Sequence, residues 1–437
     1  MTGRRAREIA DDLEILIDSG ELPSHTQMPT LRAFAEAIGV SVGTVMSAWN
    51  ILRNDGRIQT RRRGGTIVTD RRSRRSAPFP GWSQIDLSLA TPDYGLQPDL
   101  SQALLMSLAC ERLNRTGREY ITPELRERVE AIWPFEPQAW NTAGGGSEAL
   151  MLATEAAAPA GSVVAVEEPV TPGYLDTLID LGLRVVGVAA DDQGPTPQSL
   201  HAALARKPAT LVLQPSAGFA LEGALTTPRA AELANIIGRE APDIWVLEDD
   251  ATGALTGLEA PSLGTQLPDR VLRIRSYCKA YGIDVRTSVL GGARELVERT
   301  IQLRSHGIGS NSRILQNALA YLIDDPPTEK LLKIARTIYA NRRDALVTAL
   351  QKQGLTPEAP APGSLVIWLE VQNETATLVA LAHRGITVGA GGRAFVSARH
   401  GLLRISPLQL PDDPALIEKL AAEIRRSLDG PPREYFD

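Results

Sequence analysis

The sequence predicts a multidomain protein: a small helical head closed by a two-stranded hairpin, a basic tether, a large α/β body, and a smaller C-terminal α+β lobe. Three observations carry this. First, 437 residues are too many for one ordinary domain and enough for two or three. Second, charge is divided unevenly. Residues 1–80 hold 13 Arg and no Lys against 9 acidic residues, net +4, while the remainder holds 33 basic against 43 acidic residues, net −10. Third, the hydrophobic pattern changes in kind near residue 85. Before it, apolar residues keep helical spacing between capping signals; after it, Ala/Leu-rich helices alternate with short, continuously apolar runs.

In the head, residues 4–19 read as a helix with Ile9, Leu13, Ile15, Leu16 and Ile17 forming a broad apolar face, stopped by Gly20-Glu21-Leu22-Pro23. Thr30 caps a second helix over 31–38 that ends at Gly39, and Ser41 caps a third over 42–54 with Val45, Trp49 and Leu52 facing inward. Asp55-Gly56 turns the chain into strand 58–60, and Arg61-Arg62-Arg63-Gly64-Gly65 separates it from strand 66–68. Two helices joined by a short Gly turn and followed by a hairpin make a winged helix-turn-helix. Its third helix would enter a DNA major groove by its N-terminal end, where Ser41, Gly43 and Thr44 are small and partly hydroxylic. Arg32 would clamp a phosphate, and Arg61, Arg62, Arg63 and Gly65 would form a wing tip suited to the minor groove or backbone. The basic head on an acidic body agrees with a polyanionic partner.

The stretch L-P-S-H-T-Q-M-P-T-L-R-A-F-A-E-A-I-G-V-S-V-G-T-V, from Leu22 to Val45, resembles the GntR family of bacterial winged-helix regulators, a likeness that runs over about residues 5–70. The resemblance implies operator binding as a dimer. The head is therefore assigned residues 1–70. Residues 71–84, with Arg71, Arg72, Arg74, Arg75, serines and prolines, read as a short basic flexible linker.

Within the body, Val163-Val164-Ala165-Val166, Val185-Val186-Gly187-Val188, Thr210-Leu211-Val212-Leu213 and Ile244-Trp245-Val246-Leu247 read as buried parallel strands. After about Asp325 come a long helix, the runs Leu365-Val366-Ile367-Trp368-Leu369 and Leu403-Arg404-Ile405-Ser406, and a final helix. Residues 85–325 are assigned to a large domain and 326–437 to a small one.

One constellation carries chemistry. Lysine is rare, occurring only at positions 207, 279, 330, 333, 352 and 419. Lys279 follows strand-like Val271-Leu272-Arg273-Ile274 in Ser276-Tyr277-Cys278-Lys279, where an amine presented to a cleft suits a Schiff base with pyridoxal phosphate. Ser276 and Arg286 are candidates to hold the phosphate, one by hydroxyl and one as a fork. Asp249, ending strand Trp245–Glu248, is placed to pair with the pyridinium nitrogen. Gly144-Gly145-Gly146-Ser147-Glu148 opens a helix and offers its N-terminus to an anion.

Their order and spacing resemble the fold-type I aminotransferases, with further likeness in Val166-Glu167-Glu168-Pro169, Leu247-Glu248-Asp249-Asp250, Ser312-Arg313-Ile314-Leu315-Gln316 and Leu403-Arg404-Ile405-Ser406. The fusion to a GntR-like head resembles the MocR branch. Carried over residue by residue, the resemblance implies that Lys279 bears the cofactor and Asp249 faces the ring nitrogen. Gly145, Gly146, Ser147, Ser276 and Arg286 would form the phosphate pocket, and Arg404 would bind the carboxylate of an amino-acid ligand. It also implies a homodimer. Three positions depart from the pattern: Thr171 replaces an aromatic that stacks on the ring, Phe219 falls in the segment that usually supplies an Asn, and Ala251 replaces a Tyr or His.

The implied function is a transcriptional regulator that senses a small amine or amino acid through an aminotransferase-like domain holding pyridoxal phosphate. Efficient transamination, which needs the ring held through a proton shift, is not expected with three ring contacts missing. Two readings stay open beside it: a regulator whose altered pocket binds another ligand or no cofactor, and an active aminotransferase with a vestigial head. Two distant cysteines and five histidines without H-x-x-x-H spacing exclude a metal centre. No apolar run reaches the roughly 18 residues of a membrane span, and a charged N-terminus lacks a signal core, so the cytoplasm is the expected location.

Overall fold

A computed structural model describes residues 6–19, 22–23, 26–54, 57–61, 65–68, 85–110, 112–115, 117–257, 260–305, 309–358, 360–361, 363–397, 399 and 401–428. They fall into two compact units that part between Ser83 and Gln84.

In the first unit, helix α1 (Ala6–Ser19) buries Ile9, Leu13 and Ile17, whereas Leu16 is 37% exposed. Ala10, beside that row, is buried as well, since neighbours three and four apart share one side of a 3.6-residue turn; the Ile15 side chain lies outside the described residues. Helix α2 (Leu31–Ile38) begins where Thr30 Oγ1 accepts the Ala33 N–H at 3.2 Å, and it ends at Gly39, whose φ of +69° suits glycine. Helix α3 (Val42–Asn54) begins where Ser41 Oγ accepts the Thr44 N–H at 3.0 Å. Its inner face carries Val45, Ala48, Trp49 and Leu52, all buried, and Phe34 of α2 packs on Trp49 with ring centroids 4.8 Å apart. Strands β1 (Ile58–Arg61) and β2 (Gly65–Val68) pair antiparallel, with Arg61 opposite Gly65. Arg61 and Gly65, expected in the loop, thus close the ladder, since pairing continues until the turn itself. Arg62 and Arg63 lie outside the described residues.

The second unit is built on an eight-stranded sheet of β4 (Ala139–Ala143), β5 (Val163–Glu168), β6 (Arg184–Asp191), β7 (Gly194–Pro195), β8 (Thr210–Leu213), β9 (Trp245–Asp250), β10 (Val271–Ser276) and β11 (Ser288–Gly292). Their order is β4-β11-β10-β9-β8-β5-β6-β7. From β6 to β10 the neighbours are parallel, as the continuous Val/Leu runs predict; β11 runs antiparallel to both β10 and β4. One sheet face packs Leu247, Leu272, Ile274 and Leu290 against helix Gly146–Ala157, and the other packs Leu211, Leu213 and Val246 with Leu233 and Ile237 of helix Thr227–Glu240.

A second sheet, ordered β12-β14-β13-β3, joins β12 (Ile367–Glu370), β13 (Ile386–Ala390) and β14 (Leu402–Ile405) to β3 (Ile85–Leu87). This corrects the boundary drawn at residue 85: β3 pairs in parallel with β13, so the chain belongs first to the small lobe and then crosses to the large one. Residues 88–92 make that crossing past the cleft between the lobes. The lobes are also tied by Val170 N–H to Ala394 O at 2.8 Å, Leu365 N–H to Gly218 O at 3.0 Å, and the Val396 N–H donating to Glu168. Among the described residues no single helix is long and apolar enough to cross a membrane, and no cluster of His, Cys, Asp and Glu is arranged for a metal.

Candidate functional site

Strand alternation decides which side chains meet. Register sets Ile274 beside Asp249 and Arg273 beside Glu248. Asp249 and Ser276 therefore share the sheet face that packs on helix Gly146–Ala157, while Glu248, Asp250, Arg273 and Arg275 point to the opposite face. The adjacent carboxylates of Asp249 and Asp250 thus enter different surroundings. On the reverse face, burial alone would raise Asp250, but the Arg273 and Arg275 guanidiniums, 3.0 and 2.8 Å away, bring it down to about 2.

On the front face a cleft of about 700 Å³ is lined by Gly145, Gly146, Ser147, Thr171, Asp249, Ser276, Lys279 and Arg286, with Phe219, Ala251 and residues 88–92 on its other walls. Seven of the eight body residues singled out from sequence thus converge. At one end, the backbone N-terminus of helix Gly146–Ala157 meets Ser276 and Arg286. Gly145 has φ +139°, and a Cβ on Gly146 would stand 3.2 Å from Ser276 Cβ and 3.3 Å from its Oγ. The positive φ favours glycine at position 145, and a side chain at 146 would require Ser276 to give by a few tenths of an ångström. Arg286 is itself left-handed at φ +43°, a conformation costing a non-glycine residue roughly 1–3 kcal/mol, and its exposed side chain has no ion-pair partner among the described residues. The end is rich in donors and open, and Glu148 on its wall accepts the Gly144 N–H at 2.7 Å and lies 3.7 Å from Arg304.

Lys279 lies in a helical turn, Cys278–Tyr281, just beyond the strand instead of at its tip. Its half-buried Nζ donates to Ala90 O at 2.8 Å. Burial pulls its pKa down, opposed by Cys278 and by Asp249, so the amine is closer to its nucleophilic neutral form than a surface lysine.

Asp249 is 5% exposed, and burial pushes it up to about 6. The Thr171 hydroxyl opposes this: Oγ1 lies 2.7 Å from Asp249 Oδ2 and 3.1 Å from Gln214 Oε1. A hydroxyl has one proton, and the nearer, charged carboxylate takes it. Gln214 is held in turn by Nε2 donating to Pro169 O at 2.7 Å and its N–H donating to Glu167 Oε2 at 2.6 Å. Burial raises Glu167 to about 8, which limits the negative charge beside Asp249. Phe219 and Ala251 complete this end and bring no polar side chain. The Phe219 carbonyl accepts the Trp368 indole N–H at 3.2 Å, which fastens the segment to the small lobe.

Arg404 does not line the cleft. It is 8% exposed and lies behind Ser88, a lining residue, whose carbonyl accepts its Nη2 at 3.0 Å. Its Nε is buried without a hydrogen-bond partner, and the charge of Asp86 acts on it from beyond ion-pair distance. Sequence reasoning missed residues 88–92, Gln214 and Tyr174, whose hydroxyl meets Thr154 Oγ1 at 2.6 Å. The crossing segment acts through backbone carbonyls, which leave no residue-type signal.

On the head, Arg32 is exposed at the start of α2, and Ser41, Val42, Gly43, Met46, Ser47 and Asn50 form the exposed side of α3. Ser41 Oγ and Thr44 Oγ1 lie 2.8 Å apart, so both hydroxyls take part in the cap.

Residues 5–68 match the model of bacterial regulatory proteins of the gntR family, and residues 83–421 match that of aminotransferase class I and II. The vitamin B6 salvage pathway transcriptional repressor PtsJ of Salmonella typhimurium is 30% identical over 98% of this chain and 99% of its own length. The pyridoxine biosynthesis transcriptional regulator PdxR of Corynebacterium glutamicum is 24% identical over 88% of this chain and 87% of its own. In fold, the body is similar to the α-aminoadipate aminotransferase LysN of Thermus thermophilus, with TM-score 0.69 and 20% identity over 87% of this chain and 98% of that one. A GntR-type DNA-binding head and a class I and II aminotransferase body on one chain place it among the MocR-type transcriptional regulators.

Proposed function

We propose that this regulator holds pyridoxal phosphate on Lys279 and couples occupancy of that cleft by a small amine or amino acid to its hold on operator DNA. One observation carries the reading: a partly buried lysine amine, a buried carboxylate and a glycine-lined anion cradle converge on one cleft. The residues fit the cofactor. Gly145, Gly146, Ser147, Ser276 and Arg286 suit its phosphate, Asp249 its ring nitrogen, and Lys279 its aldehyde. When bound, the cofactor supplies a reversible imine linkage to amines. The chain supplies the rest: Ala90 O orients the lysine amine, Thr171 steadies the Asp249 carboxylate, and Phe219 shields the ring end from water. Arg404, buried with an unspent Nε beneath Ser88, suits an amino-acid carboxylate if residues 88–92 shift. With Thr171, Phe219 and Ala251 at the ring end, binding is expected to outlast catalytic turnover. Arg32, Gly43, Thr44 and the wing are assigned to DNA, and we infer a cytoplasmic homodimer, to be checked by light scattering.

A second reading is favoured by the names of two relatives, both tied to vitamin B6: the cofactor itself is the signal. The same experiment tests both. Anisotropy of a labelled DNA fragment, selected by binding to the full-length protein, is measured without additions, with pyridoxal phosphate, and with pyridoxal phosphate plus amino acids. The first reading expects the change only when an amino acid is added. The second expects it with pyridoxal phosphate alone. No change in either arm, or the same change in Lys279→Ala, contradicts both.

A further inference from the structure

On the reverse face of the same sheet lies a separate cavity of about 440 Å³ that shares no lining residue with the cofactor cleft. Alternation along β10 continues Arg273 and Arg275 into Tyr277, and Trp133, Tyr281 and Arg336 complete the walls. The charges do not balance. Arg273 and Arg275 pair with Glu248 and Asp250, both fully buried, while Arg336 has near it only the charge of exposed Glu329, itself paired with Lys333. Arg273 is spent on Glu248, Asp250 and the Pro261 carbonyl, while Arg336 donates Nε to Leu255 O at 2.9 Å and Nη2 to Ala254 O at 3.1 Å and has no ion-pair partner among the described residues.

Two more donors stand unused. Tyr277 is 1% exposed and its hydroxyl lies beside the Arg275 guanidinium, which can only donate to it, so its own O–H finds no acceptor. Trp133 is 8% exposed and its indole N–H is likewise buried without a partner. Buried polar groups nearly always find partners, so three unspent donors around one cavity describe what is missing from it. A guanidinium and an indole N–H can only donate, so the complement must accept, and the excess positive charge asks that it be an anion. The rings of Trp133, Tyr277 and Tyr281 add flat apolar walls, with Tyr277 and Tyr281 centroids 5.9 Å apart.

We propose that this cavity is a second ligand site, taking a small aromatic anion whose carboxylate or phosphate meets Arg336, Tyr277 and Trp133. It backs directly on the strand whose end bears Ser276 and leads to Lys279, so an occupant that orders Tyr277 bears on the neighbouring Ser276. The site stands independently of what the front cleft holds.

Benzoate and phenyl phosphate are the probes, with inorganic phosphate as the ringless control, each titrated calorimetrically into the full chain. Arg286→Ala serves as the background, so that phosphate binding at the front cleft does not contribute. One site per chain is expected for at least one aromatic probe, with the better probe telling carboxylate from phosphate. Adding Arg336→Met should weaken it about tenfold, and Tyr277→Phe, which removes one oxygen, about threefold or more. Trp133→Phe should remove the accompanying quenching of tryptophan fluorescence. If Arg336→Met does not fold, Tyr277→Phe decides. Failure of both aromatic probes to bind, binding of inorganic phosphate alone, or binding indifferent to Tyr277→Phe overturns the proposal.

Discussion

The two ends of the cofactor cleft differ in kind. The glycine end is built from backbone amides, Ser276 and Arg286, and gathers donors around an anion-sized hollow. The Asp249 end keeps one buried carboxylate but surrounds it with Thr171, Phe219 and Ala251, which offer a single hydroxyl between them. A charged cradle holds a phosphorylated ligand with little demand on ring orientation. Transfer of a proton along that ring needs it fixed. The contrast teaches that holding and turning over a ligand are separable, and the proposed assignment gives this body the parts for the first.

The largest effect that would break the comparison is at the glycine end. Ser276→Ala with Arg286→Ala is expected to weaken pyridoxal phosphate binding by about a hundredfold, since each loses a bond to a charged group worth roughly 1.5–3 kcal/mol. Absorbance titration reads this; a change below fivefold would place the phosphate elsewhere. Gly146→Ala should cost about tenfold, because its Cβ stands 3.2 Å from Ser276 and one of the two must move.

At the other end the expected effects are smaller and depend on pH. Burial holds Asp249 near 6, above its unfolded value of about 3.9, so between those values it is protonated when folded and ionised when unfolded. Its raised pKa therefore makes the free protein less stable as pH rises through that window. Binding goes the other way. A ligand with a protonated ring nitrogen needs the carboxylate ionised, so affinity should fall as pH drops through about 6. Asp249→Asn should lower affinity about tenfold at neutral pH and flatten that dependence. Thr171→Val removes the hydroxyl that opposes burial. It should lower affinity by roughly 1 kcal/mol, about fivefold, and move the midpoint upward. A midpoint that stays put would mean that Thr171 does not act on Asp249. For the head, Arg32→Ala should weaken DNA binding and reduce the salt slope by about one phosphate contact; an unchanged slope would put the DNA face elsewhere.

Much of this was legible in the residues. Thr30, Gly39 and Ser41 punctuate the head because capping is local chemistry, and their helices begin and end where the caps stand. Ser276 and Asp249 reach one cleft because strand period and parallel register are regular. What was not legible depends on distant pairing. Nothing in Ile85-Asp86-Leu87 says that it joins β13, which begins at Ile386, and an apolar run as short as Ser288–Gly292 does not encode its direction. The same holds for the crossing at residues 88–92, which meets Lys279 through the Ala90 carbonyl, a group every residue carries. Thr171 was visible only as the loss of an aromatic; that it bonds Asp249 required the fold.

The most direct measurement is to incubate the full-length protein with pyridoxal phosphate, reduce it with borohydride, and locate the modification by peptide mass spectrometry. A near-visible absorption band before reduction that is absent in Lys279→Ala, and a phosphopyridoxyl group on Lys279 after it, are the expected results. A protein that stays colourless and unmodified, or is labelled equally at exposed Lys207 or Lys333, would contradict the assignment of the cleft.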